Sequence, residues 1–156
     1  MKLFGLALTC SAFVTALALA ASATAGTTLT YHATFVENGA AQTVCAPGTQ
    51  CGSATISGLG HVAFESIVFG ACGANCHLRT ITFDDGSTLL IQESVVGVIS
   101  PGNSSSAGDN APDFLEISQT IVGGSGTFAG ATGSGSGRVN RAAGAVVTAS
   151  GTINLQ

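Results

Sequence analysis

The chain has 156 residues, 46% of them hydrophobic and only 8% charged, with a formal net charge of −4 at pH 7. That length suits one domain with a sizeable core. Its four cations, Lys2, Arg79, Arg138 and Arg141, leave no basic footprint for nucleic acid or for an anionic membrane surface.

The first element is a leader. Met1 and Lys2 precede an apolar run from Leu3 to about Ala20, and Ala23-Thr24-Ala25 ends it in the small-x-small pattern of a cleavage site. A membrane-spanning helix is the competing reading, but Thr9, Ser11 and Thr15 dilute the run and no basic flank follows it. Residues 1–25 are therefore expected to be a signal peptide, and 26–156 a single secreted or periplasmic domain, with no membrane association after cleavage. Cys10 lies inside the run, too early for a lipid-anchoring cysteine. Cleavage leaves Cys45, Cys51, Cys72 and Cys76, an even number in an exported chain, which reads as disulfides. Of the three pairings available, close spacing favours Cys45–Cys51 and Cys72–Cys76, each pinning a short loop.

After residue 26 the composition is Gly, Ser and Thr interleaved with Val, Ile and Phe, which disfavours helix and suits strands. Residues 27–36 alternate, with Leu29, Tyr31, Ala33 and Phe35 on one face and Thr28, Thr30, His32 and Thr34 on the other. A loop over 37–52 carries Asn38-Gly39, Pro47-Gly48 and the first cysteine pair. Residues 54–69 form one long strand or two, bent at Gly58 and Gly60; Val62, Phe64 and Val68 share a face and set Glu65 on the other. A second loop spans Cys72 to Cys76.

The clearest hairpin joins 77–83 to 87–99 through Asp84-Asp85-Gly86. A polar loop follows over 100–112, with an acceptor sequon for glycosylation at Asn103. Residues 114–122 are a strand with Leu115, Ile117 and Ile121 inward and Glu116 outward. Strands over 127–139 and 145–155 complete a helix-free set. Short strands with short connections make an antiparallel barrel or a β-sandwich.

Residues 121–134, Ile-Val-Gly-Gly-Ser-Gly-Thr-Phe-Ala-Gly-Ala-Thr-Gly-Ser, followed by Gly151-Thr152-Ile153, resemble the glycine-rich segment of allene oxide cyclase-like and dirigent-like proteins. The segment from Ile81 to Leu89 is similar to a hairpin of secreted bacterial relatives of that group. The resemblance implies an eight-stranded antiparallel barrel, often trimeric in the plant members, with a mostly apolar cavity. It further implies cyclisation or steering of reactive small molecules without a cofactor. Its glycines serve turns and tight strand packing, so it transfers no catalytic residue.

Other chemistries find little support. Gly124-Ser125-Gly126-Thr127-Phe128-Ala129 fits a loose dinucleotide fingerprint, but the glycines after it forbid the helix that motif needs. The run Cys72 to His77 is one residue too long for haem attachment and fits a local disulfide. Zinc lacks a fourth ligand. Gly133-Ser134-Gly135-Ser136-Gly137 is no nucleophile elbow, and His32 shares its face with threonines as a solvated residue.

One polar pair stands out. If Asp84-Asp85-Gly86 is a three-residue turn, Ile81 pairs with Leu89. Arg79 then lies on the apolar face with Phe83 and Ile91, diagonal to Glu93. Two charges there must pair, as a ligand-orienting couple or a structural ion pair. A two-residue turn would shift the register and set Arg79 beside Gln92.

Two functions remain open. The first is a barrel that binds a small apolar molecule, with Tyr31, Phe35, Phe64, Phe83, Ile91 and Phe114 as cavity wall and Arg79 and Glu93 as polar contacts. It needs a cavity of at least about 300 Å³. The second is a non-enzymatic extracellular structural or adhesion domain, its interior filled and its Ser/Thr/Gly exterior serving contact or homo-oligomeric assembly.

Overall fold

The computed structural model describes residues 26–37, 49–99, 114–141 and 145–156. Residues 1–25, read as a leader, Asn38-Gly39, Cys45, Pro47-Gly48 and the segment with Asn103 lie outside the described residues.

Eight strands follow in order: β1 (Thr27–Val36), β2 (Gln50–Ile56), β3 (Val62–Gly73), β4 (Cys76–Phe83), β5 (Thr88–Ile99), β6 (Phe114–Ser125), β7 (Thr132–Asn140) and β8 (Val146–Leu155). Each is antiparallel to its neighbour in sequence, and β8 closes on β1 over ten pairs, from Thr27 with Leu155 to Val36 with Val146. That last ladder rules out the sandwich, because a closed barrel leaves no sheet edge. The chain is thus an all-β, antiparallel, up-and-down barrel.

The β1 alternation is as expected: Tyr31, Ala33 and Phe35 are buried and His32 and Thr34 exposed. The segment read over 54–69 is two strands, because Ser57 to Gly60 turn the chain and Gly58 and Gly60 take positive φ of 81° and 117°. β2 begins at Gln50, inside the segment read as a loop. The stretch read as a strand from Thr127 is first a 3-10 turn over Gly126–Phe128, which tucks Phe128 into the core and delays β7 to Thr132. No dinucleotide helix starts at these glycines.

The hairpin register is the three-residue one. Phe83 N–H donates to the Ser87 carbonyl at 2.9 Å, Gly86 sits at φ 82°, and Ile81 pairs with Leu89. Asp85 caps the turn by accepting from Ser87 N–H (2.8 Å) and Oγ (2.9 Å), bonds that hold its carboxyl below the usual range. Cys72 and Cys76 are disulfide-bonded across the β3–β4 hairpin. Cys51 is buried and also disulfide-bonded; Cys45, the partner expected for it, lies outside the described residues.

The two ends of the barrel differ. At one end, the loop end, lie the β1–β2, β3–β4, β5–β6 and β7–β8 connections, two of which are long. The other, the turn end, has only short turns and is plugged by Phe83 stacked on Phe128, ring centroids 4.6 Å apart.

Candidate functional site

The side chains that could do chemistry converge inside the loop end, around Arg79. Arg79 follows from simple alternation along β4, where His77, Arg79, Ile81 and Phe83 all point inward. Cross-strand pairing then sets His77 opposite Glu93 and Arg79 opposite Ile91. The expected diagonal pair forms: Arg79 Nε donates to Glu93 Oε1 at 3.1 Å and Nη2 to Glu93 Oε2 at 2.9 Å.

Two further carboxylates join it. Arg79 Nη2 donates to Glu37 Oε1 at 2.8 Å and Nη1 to Glu65 Oε2. Glu65 overturns the expectation for β3. Val62 pairs with Phe83 but Phe64 pairs with Thr82, so Ala63 is an extra residue in a β-bulge. The bulge inverts the alternation beyond it, since one residue of slip moves each side chain to the opposite face. Glu65 therefore points inward and is fully buried, while Phe64 faces out and is no cavity wall. Phe114 also departs from expectation: it sits on the outer face beneath the exposed Arg138 guanidinium, 5.8 Å from its ring centroid.

A polar chain completes the cluster. Gln119 Nε2 donates to Glu93 Oε1 at 2.5 Å, and Tyr31 Oη donates to Gln119 Oε1 at 2.6 Å. His77 Nε2 lies 2.7 Å from Glu93 Oε2. The Phe35 ring lies 4.2 Å from the Arg79 Cζ, a cation–π contact. Five strands, β1, β3, β4, β5 and β6, or the residue just after one, are thus tied to one guanidinium.

The electrostatics follow from one cation facing three carboxylates. Burial raises the Glu93 pKa, but Arg79 and the bonds from His77 and Gln119 outweigh it and hold the carboxyl at about 2. For Glu65 burial wins over Arg79, and Glu37 and Glu93 add repulsion, so its pKa rises to about 7. Its Oε1 has no hydrogen-bond partner, so Glu65 is where the cluster can take a proton. Burial alone would favour neutral Arg79, but the three carboxylates push its pKa up. Burial and then Glu93 push the Tyr31 phenol to about 12.

Most of the cluster is sealed. Arg79, Glu65 and Glu93 side chains have no exposure, whereas His77 keeps 13% and Glu37 9%, both toward the loop end. Tyr31, Phe35, Phe83 and Ile91 face inward as expected, but they are buried against one another and the rest of the core rather than around a cavity. A recess of about 220 Å³ under Phe83, Phe128 and Leu59 at the turn end falls short of the usual ligand range. Among the described residues no group of His, Cys, Asp or Glu could hold a metal ion, and no helix is long and apolar enough to cross a membrane.

Alternation predicts part of what sequence reading missed. Gln119 lies between the inward Ile117 and Ile121, and His77 two residues before Arg79, so both were legible as inward-facing. Glu37 and Glu65 had no such signal, one lying past a strand end and one behind a bulge.

Fold and cluster together define a closed eight-stranded barrel with an ionised, hydrogen-bonded interior. No family model, curated protein or solved structure matches the chain.

Proposed function

We propose that the chain is an extracytoplasmic, non-enzymatic binding or adhesion domain that works through the outside of its barrel. The carrying observation is the filled interior. Tyr31, Phe35, Arg79, Ile81, Leu89, Ile91 and Ile117 are all buried to within 1% exposure, so the barrel axis is occupied by side chains. A cup for an apolar ligand needs that space empty. The Cys72–Cys76 disulfide fits an oxidising compartment. A thermal-shift screen of the purified protein against small apolar molecules is expected to leave its melting temperature unchanged. Ligand-dependent stabilisation would overturn this reading.

One observation favours a second reading, small-molecule binding with cofactor-free, dirigent-like steering. Glu65 is a buried carboxyl with a pKa of about 7 and an unpartnered oxygen, tuned as a general acid at neutral pH would be. The ligand would then sit at the loop end and reach the cluster past His77. Stabilisation by a small molecule that His77→Ala abolishes would support it. The resemblance of residues 121–134 to cyclase-like barrels points the same way.

A further inference from the structure

A second concavity lies outside the barrel. An open groove of about 780 Å³ crosses the outer face of β1, β8, β7, β6 and β5. Its depth has a cause in the sequence. Three of the inward positions of β7 are Gly133, Gly135 and Gly137, ahead of the buried Val139, and beside them stand Ala33 and Ala149. At Gly135 a Cβ would collide with the Tyr31 hydroxyl, so only glycine lets this wall lie so close to the interior.

The outward positions are a hydroxyl lattice. In register across four strands, His32, Ser150, Ser136 and Ser118 make one row, and Thr34, Thr148, Arg138 and Glu116 the next. Neighbouring rows are two residues apart, about 6.6–6.8 Å, and strands about 4.7–4.9 Å. Glu116 and Arg138 are direct cross-strand partners, yet no ion pair joins them among the described residues. Arg138 leans over Phe114 and Glu116 lies against Gly97, which leaves the polar atoms of both side chains unpaired with each other. Val96, the extra residue of a bulge in β5, adds an apolar contact that is 65% exposed.

We propose that this groove is a binding site for a neutral oligosaccharide. The inference rests on the reading of a barrel that acts through its exterior. The groove holds one guanidinium and one carboxylate, so an anion or a cation would meet its own charge as well as its partner. A neutral ligand escapes that conflict. Serine and threonine hydroxyls both donate and accept, as sugar hydroxyls do. Glu116 and Arg138 offer planar, two-pronged acceptor and donor groups for neighbouring sugar hydroxyls, and Val96 can meet the C–H face of a ring. The volume lies within the ligand-site range of about 300–1,000 Å³. An acidic polymer is disfavoured by the chain's net charge of −4.

The test is binding of the purified protein to an immobilised panel of neutral α- and β-linked hexose, N-acetylhexosamine and pentose oligosaccharides, beside a polygalacturonate arm. The expected result is binding to a neutral glycan but not to polygalacturonate. Arg138→Ala or Glu116→Gln should weaken it at least about tenfold, and Ser150→Lys, which fills the groove, should do the same. Circular dichroism and melting temperature should be unaffected, since these residues are on the outer face. Absence of neutral-glycan binding, or binding indifferent to all three substitutions, overturns the proposal. If Ser150→Lys instead reduces concentration-dependent self-assembly without any glycan binding, the glycan falls but the exterior reading stands. If only a small apolar molecule binds, through His77, both fall.

Discussion

The loop end and the turn end of this barrel solve the same problem with opposite chemistry. Both must fill the mouth of a closed sheet. The turn end does it with two stacked phenylalanines and three short turns. The loop end buries a guanidinium, three carboxylates and an amide beneath a half-buried imidazole. Aromatic filling gains from leaving water, whereas buried ions must recover a large desolvation cost through mutual bonding. The difference teaches that stability at one end is fixed, while at the other it depends on protonation.

The largest expected effect comes from removing the shared cation. Arg79→Met strands three carboxylates inside the barrel and should cost about 3–5 kcal/mol at pH 7.5 in urea unfolding. The loss should shrink at pH 4.5, where carboxylates can be protonated. A loss below about 1 kcal/mol would show that the cluster is replaceable by apolar packing.

At the turn end, Phe128→Ala should cost about 3 kcal/mol, through lost transfer energy and a cavity, and by the same amount at both pH values. A pH-dependent cost would erase the contrast between the ends.

Wild-type stability should itself follow pH. The Glu65 pKa is raised from 4.5 to about 7, so the folded form holds a proton that the unfolded chain releases. Stability is full below 4.5 and falls as pH rises through 7, by about 3 kcal/mol. Glu93 is lowered from 4.5 to about 2, so its contribution is present above 4.5 and lost as pH falls toward 2. Maximum stability is therefore expected near pH 4.5. Glu65→Gln should flatten the neutral limb only; a retained slope would assign that limb to another group.

The smallest effect belongs to the disulfide beside the loop end. Cys72 and Cys76 are four residues apart, and so short a loop should give about 2 kcal/mol in the chain-entropy account. Cys72→Ala with Cys76→Ala should lower stability by that amount and leave the pH profile unchanged.

Strand content, the hairpin at Asp84-Asp85-Gly86, the Cys72–Cys76 bond and the Arg79–Glu93 pair were legible in the sequence because each depends on local spacing. Alternation along β4 and β5 places Arg79 diagonal to Glu93 once the turn has three residues, a choice the sequence left open and Gly86 in the left-handed region decides. The second half of the cluster was not legible. A single extra residue, Ala63, exchanges the faces of Phe64 and Glu65, and no local pattern distinguishes it from an ordinary alanine in a strand. Phe114 misled for a different reason: it shares its parity with Glu116, which alternation already sets outward, so its place as a cavity wall disregarded the strand's own pattern, and Arg138 covers its ring on the outer face.

The sequence by itself determined the class of the molecule, an all-β chain with a sparsely charged, hydroxyl-rich outer surface and one charged pair on an apolar face. Only the tertiary structure decided that β8 returns to β1, that the interior is filled, and that Glu37, just past β1, and Glu65 of β3 reach Arg79. Closure and the meeting of four charges unite residues far apart in the chain. Their energies depend on which side chains share a water-free space, which spacing along a strand cannot encode.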